Sequence, residues 1–484
     1  MRKRFEQQLT IGLKPIQETE IPSRSRDSIA AILEALKEIF IRPEYNEKIF
    51  NILEDEIIKG KKKTGRPGMD LWQIFVLAQF RLALNINYDI LHNLSNHHSL
   101  LRQILGIETE SGYEKIEIGY QSIIDNVSLL SDETVKEINK VIVVFGHDVF
   151  KKKEAEALRL KTDSFVVKSN VHFPTDYNLL WDSARKCLDT VNKFLNKYPN
   201  IPEWRKIKNW NRETKGFMRE LGKASSSGGK NKEARQKKAA KKYLTKAKAL
   251  QAKLVSSRSH LTVNDNMDMA MFISFEHFME LLNKQIDLVD RRLIKGEKIP
   301  HQEKIFSIFE DYTEWITKGK MYPNVELGKN CAITTDHFNL IVDYQIMEHE
   351  ADSKIVVTIA DRIISTYKVD SWSFDRGFWH KDNKSLLQLK IPKVIMPKKG
   401  KRNKFEREEE KQNLFIRLKN KHSAIESNIN ELEHRGLNKC PDRGYEHFKR
   451  YVGLAVSAYN LHRIGKELIK LKCQETKKSF KLCA

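Results

Sequence analysis

The stretch "SWSFDRGFW" (371–379) contains a single acidic residue, Asp375, at the point where a strand is predicted to end. Apolar and polar residues alternate from Val369 to Phe374, as in a half-buried strand, and Arg376-Gly377 then indicates a turn. A strand end that presents a carboxylate is a common way to build a site. The stretch therefore predicts a sheet that positions Asp375, and it raises the question of which other carboxylates meet it.

The bulk composition limits the class of protein. The chain has 484 residues, of which 40% are hydrophobic and 31% charged, as expected for a folded chain of two to four domains. Its formal charge is +22, from 86 Lys and Arg against 64 Asp and Glu. Such an excess favours a polyanionic partner, most often nucleic acid. A lysine-rich composition typical of an AT-rich genome is the alternative.

Cysteine usage and hydropathy indicate a reducing compartment and no membrane partner. The five cysteines include no Cys-x-x-Cys pair, which argues against a zinc ribbon and a disulfide framework. The N-terminus has basic residues but no apolar signal region, and the apolar run 452–461 is too short to span a bilayer. We therefore expect a cytoplasmic protein.

The N-terminal region, residues 1–150, is predicted to be helical from its hydrophobic periodicity, with helices within 25–59, 71–84, 88–97 and 119–144. The helices 71–84 and 88–97, with a short turn between them, form either a helix-turn-helix that reads DNA or an ordinary helical hairpin. A basic segment, 59–70, precedes it and offers a flexible arm for a DNA minor groove, with Lys61, Lys62, Lys63 and Arg66.

A strand-rich core is predicted to be split, with residues 151–177 and 325–465 flanking a helical, basic insertion at 178–324. Residues 157–167 alternate and are rich in strand formers, and they carry Asp163. Between Lys223 and Lys248 ten basic residues face one acid, which indicates either phosphate contact or a solvated helix face. The candidates for DNA contact in this insertion are Lys237, Lys238, Lys241 and Lys242.

The second half of the core repeats the strand and helix signals. We predict a strand over 330–347, a helix over 353–367, the strand that ends at Asp375, and a short helix over 382–389. A further strand then leads into a basic turn, followed by one long helix over 406–434, a final helix over 446–470 and a basic tail, 466–484. The turn offers Lys398, Lys399, Lys401 and Arg402 to a DNA backbone.

The long helix contains the third candidate acid, Glu426. Apolar residues recur on one face of this helix, and Glu426 follows one of them, Ile425, so it borders the buried stripe about 100° round the helix. Hard carboxylate oxygens that gather together select Mg²⁺ or Mn²⁺, and two such ions can promote attack on a phosphodiester. Other acids lie in the same region and are alternatives, namely Asp336, Asp352 and Asp361.

The motifs along most of the chain resemble those of the DDE transposases of bacterial insertion sequences, which have an RNase H-like core. The segment that opens with "TGRPGMDLWQ" (64–73) is similar to their N-terminal helical domain, and "TDSFVVKSNVHFPTDYNLLWDS" (162–183) to their first-Asp motif. "DRGFW" (375–379) resembles the second-Asp motif, and 422–465 resembles the Glu helix and the segment after it. The chain departs from some relatives in carrying His422 four residues before Glu426, where they have arginine.

The resemblance implies an α/β RNase H-like core, a mixed sheet with helices, beside an all-α N-terminal domain and a large helical insertion. It implies that Asp163, Asp375 and Glu426 are both the catalytic and the metal-binding residues, with Asp163 bridging two Mg²⁺ or Mn²⁺ ions. Four residues are candidates for supporting the site or contacting DNA: Asn170, His172, Asp176 and Arg376. For Asn170, His172 and Asp176, a structured turn around Pro174 is the alternative.

The activity implied is cleavage at transposon ends to free a 3′-OH, followed by attack of that 3′-OH on target DNA. The partners implied are the terminal inverted repeats, the target DNA and a second copy of the chain, in a bacterial cytoplasm and at the nucleoid when bound. Two alternatives remain open. One is a catalytically silent, transposase-derived protein that binds specific DNA, and the other is a plain nuclease or resolvase.

Overall fold

The computed structural model describes residues 2–5, 12–24, 27–60, 68–111, 113–199, 201, 204, 206–317 and 324–482, with side chains as far as residue 475. The chain divides into two compact units. Unit 1 comprises Met1–Asn170 with Ile316–Ala484, and unit 2 comprises Val171–Trp315. The mixed α/β architecture predicted from the sequence is confirmed.

Unit 1 begins with helices that end and start at clear local signals. The Asp27 side chain accepts a hydrogen bond from the backbone N–H of Ile29 and caps the first helix, and Pro43 occupies the first turn of the second. The third helix is buried along nearly its whole length. These helices are α1 (Ser28–Ile41), α2 (Pro43–Ile57), α3 (Leu71–Ala83), α4 (Tyr88–His97), α5 (Ser99–Ile104), α6 (Tyr120–Val127) and α7 (Asp132–Val149).

A mixed sheet follows, with six strands in the described part of the chain. The strand order is β2-β3-β1-β5-β6, and β4 also pairs with β3. The central strand β1 is antiparallel to β3 and parallel to β5, and β5 is parallel to β6. The strands are β1 (Leu158–Lys168), β2 (Glu314–Thr317), β3 (Val325–Thr335), β4 (Ile341–Ile346), β5 (Val369–Phe374) and β6 (Lys393–Ile395).

Unit 2 is formed largely by four helices that share one apolar core. Its buried residues include Phe194, Tyr243 and Phe275, which come from three of these helices. Contrary to the prediction of a helical insertion throughout 178–324, residues 295–313 contain only a single short helical turn and β2 begins at Glu314. The helices are α8 (Asp176–Lys197), α9 (Ile207–Ser226), α10 (Lys232–Arg258) and α11 (Asn266–Val289).

The remaining helices of unit 1 cover the sheet. One face carries an apolar cluster in which Trp372 and Phe374 of β5 lie with residues of the helix after β4, such as Ile359. The other face carries helices that contact β1, β5 and β6. The helices are α12 (Asp352–Ile364), α13 (Lys381–Lys390), α14 (Lys404–Lys411), α15 (Asn413–His422), α16 (Ala424–Leu432) and α17 (Tyr445–Leu482).

Two predicted elements are divided in the structure. The strand predicted over 330–347 is the hairpin β3–β4, because the buried Asp336 carboxylate accepts hydrogen bonds from the backbone N–H groups of Phe338 and Leu340 and holds a turn. The helix predicted over 406–434 is three helices, α14 to α16, because Gln412 adopts an extended conformation and the chain turns again at Ser423.

Candidate active site

The first candidate acid, Asp163, lies on the central strand β1. Because side chains alternate in a strand, Lys161 and Asp163 share one face of the sheet, while Thr162 and Ser164 face the apolar cluster side. Asp163 pairs with Ile333 of β3, and its carboxylate accepts a hydrogen bond from the Ser164 backbone N–H at 2.7 Å. A partly buried carboxylate is thus fixed at the middle of the sheet.

The second candidate acid, Asp375, follows β5 directly. The parallel register of β1 and β5 pairs Thr162 with Phe374, so the next residues of the two strands are Asp163 and Asp375. The third candidate, Glu426, lies on α16, and this helix packs against β1. The structure therefore brings to one side of the sheet three acids that are far apart in the sequence.

The electrostatics of Asp163 show that these acids interact. Burial raises the pKa of Asp163 to about 7, the Ser164 N–H opposes that increase, and the charges of Asp375, Asp352 and Glu426 add to it. A carboxyl group with such a pKa carries a substantial free-energy cost when it is ionised at neutral pH. Positive charge placed among the acids would relieve this cost.

Asp352 is a fourth acid of the site. It is the first residue of α12 and accepts a hydrogen bond from the Ser164 hydroxyl at 2.8 Å. Burial raises its pKa, the charge of Asp375 adds to the increase, and Lys399 opposes it. In the sequence Asp352 is one of several acids in a short segment and looks like an ordinary first-turn helix residue, so no pattern distinguishes it.

The structure gives a steric reason for the glycine at position 377, two residues after Asp375. A Cβ atom at this position would lie 2.5 Å from Oδ2 of Asp352, closer than non-bonded atoms approach. The absence of a side chain therefore lets the turn after β5 lie against the first turn of α12. This contact joins the second-Asp segment to the fourth acid.

The two other alternative acids have structural explanations. Asp336 is fully buried, its Oδ2 lies 2.7 Å from Nε2 of His147, and it holds the β3–β4 turn. Asp361 is exposed on α12 and pairs with Lys390 at 3.0 Å. Neither acid is among those whose charges raise the pKa of Asp163.

The four acids suit a divalent cation in chemistry but not in placement. Asp163, Asp375, Glu426 and Asp352 offer the carboxylate oxygens that Mg²⁺ and Mn²⁺ prefer. Among the described residues, however, no three acidic, histidine or cysteine side chains are placed closely enough to hold one ion. Asp375 and Glu426 are exposed, so their side chains have space to turn towards Asp163.

His422, four residues before Glu426 in the sequence, lies beside this site. Its Nδ1 is 3.0 Å from the Ser373 hydroxyl, and its buried Nε2 has no hydrogen-bond partner in the described residues. Burial lowers its pKa to about 4, and the charge of Asp375 opposes the decrease. The imidazole is therefore neutral at physiological pH, so it does not supply the permanent positive charge of an arginine.

Some of the predicted DNA-contact residues are paired within the protein. Lys237, Lys238, Lys241 and Lys242 are all exposed on α10, and Lys242 also pairs with Glu220 at 2.9 Å. In the turn after β6, Lys399 and Lys401 are exposed, whereas Lys398 pairs with Glu406 at 2.7 Å and Arg402 with Glu410 at 2.8 Å. The predicted arm lies outside the described residues, at Lys61, Lys62, Lys63 and Arg66.

The four candidate supporting residues are not placed in one constellation. In unit 1, Asn170 donates to the Pro441 carbonyl at 3.4 Å, and Arg376 is exposed beside Asp375. In unit 2, His172 lies 3.4 Å from Asp182, and Asp176 accepts from Arg292 at 2.6 Å. The contacts of His172 and Asp176 fit the structured-turn alternative around Pro174.

Comparison of the chain with protein-family models, with curated proteins and with solved structures gives no match in any of the three. Within the described residues, none of the helices combines the length and the apolar character that crossing a bilayer requires.

Proposed function

We propose that this chain is a DNA transposase of the DDE type, with an RNase H-like core, that cuts transposon ends and joins the 3′-OH to target DNA. One observation carries the proposal: Asp375 and Glu426, identified in the sequence with Asp163, both contribute to the raised pKa of Asp163. The mixed sheet with β1 at its centre and the charge of +22 also support it.

The acids have distinct parts in this proposal. Asp163, Asp375 and Glu426 would be the residues that hold two Mg²⁺ or Mn²⁺ ions, and the partly buried Asp163 would be the fixed carboxylate of the three. When bound, such ions polarise a phosphodiester and make water or a 3′-OH a better nucleophile. Asp352 orients Ser164, whose N–H fixes Asp163. The exposed cations on α10 and after β6 supply attraction for the DNA backbone, and a second copy of the chain is needed to hold the second end.

Purified protein, Mg²⁺ and DNA that carries the inverted repeats flanking the gene provide the test. Nicking at the repeat ends, followed by joined strands in a target plasmid, is the expected result. Cleavage without joined products would instead identify a plain nuclease. Chelation of the metal with EDTA should stop both reactions and leave binding to the repeats.

A second candidate is a catalytically silent, sequence-specific DNA-binding protein derived from a transposase. The observation that favours it is the lack, among the described residues, of a group placed to hold a metal ion. Tight binding to the inverted repeats with neither nicking nor joining, in Mg²⁺ and in Mn²⁺, would establish this alternative and exclude the transposase.

A further inference from the structure

A cavity of about 660 Å³ lies in unit 1 beside the candidate active site. It is lined by residues of β1, β5 and β6 on one side and of α15 and α16 on the other. Its wall includes Lys161, two residues before Asp163 on the same face of β1, and Ser427, the residue after Glu426. The lining therefore includes close sequence neighbours of two of the acids, although none of the four acids itself lines the cavity.

The lining of this cavity is strongly basic. Five cations face a single acid, Asp370, and we call them the basic cavity residues: Arg159, Lys161, Lys393, Arg417 and Lys421. Lys393 pairs with Asp370 at 2.8 Å. For the other four cations, no ion pair with a carboxylate occurs among the described residues, so cations outnumber carboxylates in the cavity lining.

Lys161 is the most enclosed of the four unpaired cations. It is partly buried, and its ammonium group donates at 3.3 Å to the neutral amide oxygen of Asn339. Residues in a strand rise about 3.4 Å each, so the backbone of Lys161 lies about 7 Å from that of Asp163. The ammonium group itself lies at the β3–β4 turn beside Asn339. It has no carboxylate partner among the described residues and is available to an anion that arrives with the substrate.

We propose that the basic cavity residues bind backbone phosphates of the DNA strand whose scissile phosphodiester lies at the acids. This inference rests on the proposed function and specifies how the same site holds its substrate. Arginine forks and lysine ammonium groups suit phosphate oxygens well, and the Ser427 hydroxyl adds a neutral donor. None of these cations stands out in the sequence, because they are scattered over three elements.

The salt dependence of DNA binding tests the inference. Removing one cation that binds a phosphate should reduce the slope of log K against log salt by about 0.7 for a single strand or 0.9 for a duplex. We expect this reduction for Lys421→Ala and for Arg417→Ala. Lys419→Ala is the matched control, because Lys419 is exposed on the same helix but does not line the cavity, and its slope should equal that of the wild type.

Neutral linkages locate the contacted phosphates. Methylphosphonate placed singly along the strand should weaken wild-type binding at one or a few positions beside the cleavage position, and Lys421→Ala should no longer show that sensitivity. Identical interference patterns in the wild type and in Lys421→Ala and Arg417→Ala would overturn the inference, as would an equal slope change in Lys419→Ala.

Two further outcomes distinguish this inference from simple anion binding and from the proposed function. If inorganic phosphate alone competes for the cavity while every neutral linkage is tolerated, the site binds small anions and the inference fails. Because interference is measured by binding, it can be read even when no cleavage occurs. Absence of cleavage would then remove the proposed function, while localised interference that depends on Lys421 would still support the phosphate contact.

Discussion

At the scale of single residues, Asp163 has the environment that determines what the site can do. Its pKa of about 7, against an ordinary 3.8, means that the folded protein holds a proton between about pH 4 and pH 7 that the unfolded chain has released. Stability from this group is therefore present at low pH and is lost as the pH rises to about 7. At roughly 1.4 kcal/mol per pH unit, the loss amounts to about 4 kcal/mol.

The variant Asp163→Asn should consequently be more stable than the wild type at pH 8, by up to about 4 kcal/mol, and the gain should shrink towards pH 4. Urea unfolding at pH 5 and pH 8 measures this difference. Asp361→Asn, which alters an exposed acid paired with Lys390, should show little change at either pH. An equal gain for Asp163→Asn at both values would contradict the raised pKa.

The three acids identified from the sequence should be indispensable for chemistry. Asp163→Asn, Asp375→Asn and Glu426→Gln remove one carboxylate each and keep the side-chain size, so each should abolish nicking and joining. Binding to the inverted repeats should persist, because the exposed cations are unchanged. Gel-shift and cleavage assays on the same preparations measure both properties, and near-normal cleavage by any of the variants would exclude that residue from catalysis.

Asp352→Asn should act differently from those variants. It removes a charge that raises the pKa of Asp163, so the acid limb of the cleavage pH profile should move to lower pH while cleavage continues. A profile of the cleavage rate from pH 5 to pH 9 measures the shift. Asp361→Asn, on the same helix, should leave the profile in place, and a complete loss of cleavage in Asp352→Asn would instead make Asp352 a metal ligand.

The hydrophobic pattern places Asp163, Asp375 and Glu426 at strand or helix positions, but it is the motif resemblance that selects them from the other acids. Nothing in the sequence distinguishes Asp352, because an acid in the first turn of a helix is common for reasons unrelated to function. Its distinguishing contact, with Ser164, joins parts of the chain that no local pattern connects.

At the scale of elements, periodicity predicted where helices lie better than where they end. The apolar stripe that predicted one helix over 406–434 continues across the break at Ser423, because α15 buries Phe415 and α16 buries Ile425 and Leu432. The helix before the break at Gln412, α14, has no buried residue. Hydrophobic periodicity does not reveal the β3–β4 turn for a similar reason. Its residues continue the apolar pattern, and the turn depends on hydrogen bonds to the Asp336 side chain.

Close packing of α17 on α1 gives a prediction at this scale. A Cβ atom at Gly465 would overlap the backbone carbonyl of Ala31, and backbone cannot move aside as a flexible side chain can. Gly465→Ala should destabilise the protein by about 1–3 kcal/mol. Thermal unfolding of the full chain measures the effect.

Gly216→Ala is the matched control for Gly465→Ala. Gly216 lies within α9, where an added Cβ meets nothing within 4 Å, so alanine should stabilise that helix by about 0.5–1 kcal/mol. A Gly465→Ala protein that melts at or above the wild-type temperature would show that α1 and α17 do not pack this closely.

At the scale of the whole molecule, the sequence gives the excess of positive charge directly. It does not show which cations are free to contact a polyanion. Many are used within the protein, including Lys242, Lys398 and Arg402. The exposed and unpaired cations are the ones that a long polyanion can reach. Total charge therefore overstates the number of cations that are available to a polyanion.

The charge on α10 gives the prediction at this scale. Replacing Lys237, Lys238 and Lys241 together by Gln should reduce the salt slope of duplex binding by about 2–3, at roughly 0.9 for each phosphate that is no longer neutralised. Fluorescence anisotropy over a range of salt concentrations measures the slope. Lys242→Gln should reduce the slope less than the same substitution at Lys237, Lys238 or Lys241 alone, because Lys242 is already paired with Glu220. An unchanged slope in the triple variant would exclude α10 as a DNA surface.

The interruption of the sheet by unit 2 has a consequence for the life of the protein on the ribosome. Strand β1 emerges long before its neighbours β3 and β5, and the helix that carries Glu426 emerges later still. A nascent chain therefore has an unpaired central strand until most of translation is complete. Products truncated by premature termination would lack the last candidate acid, so under the proposed function they would not cut DNA.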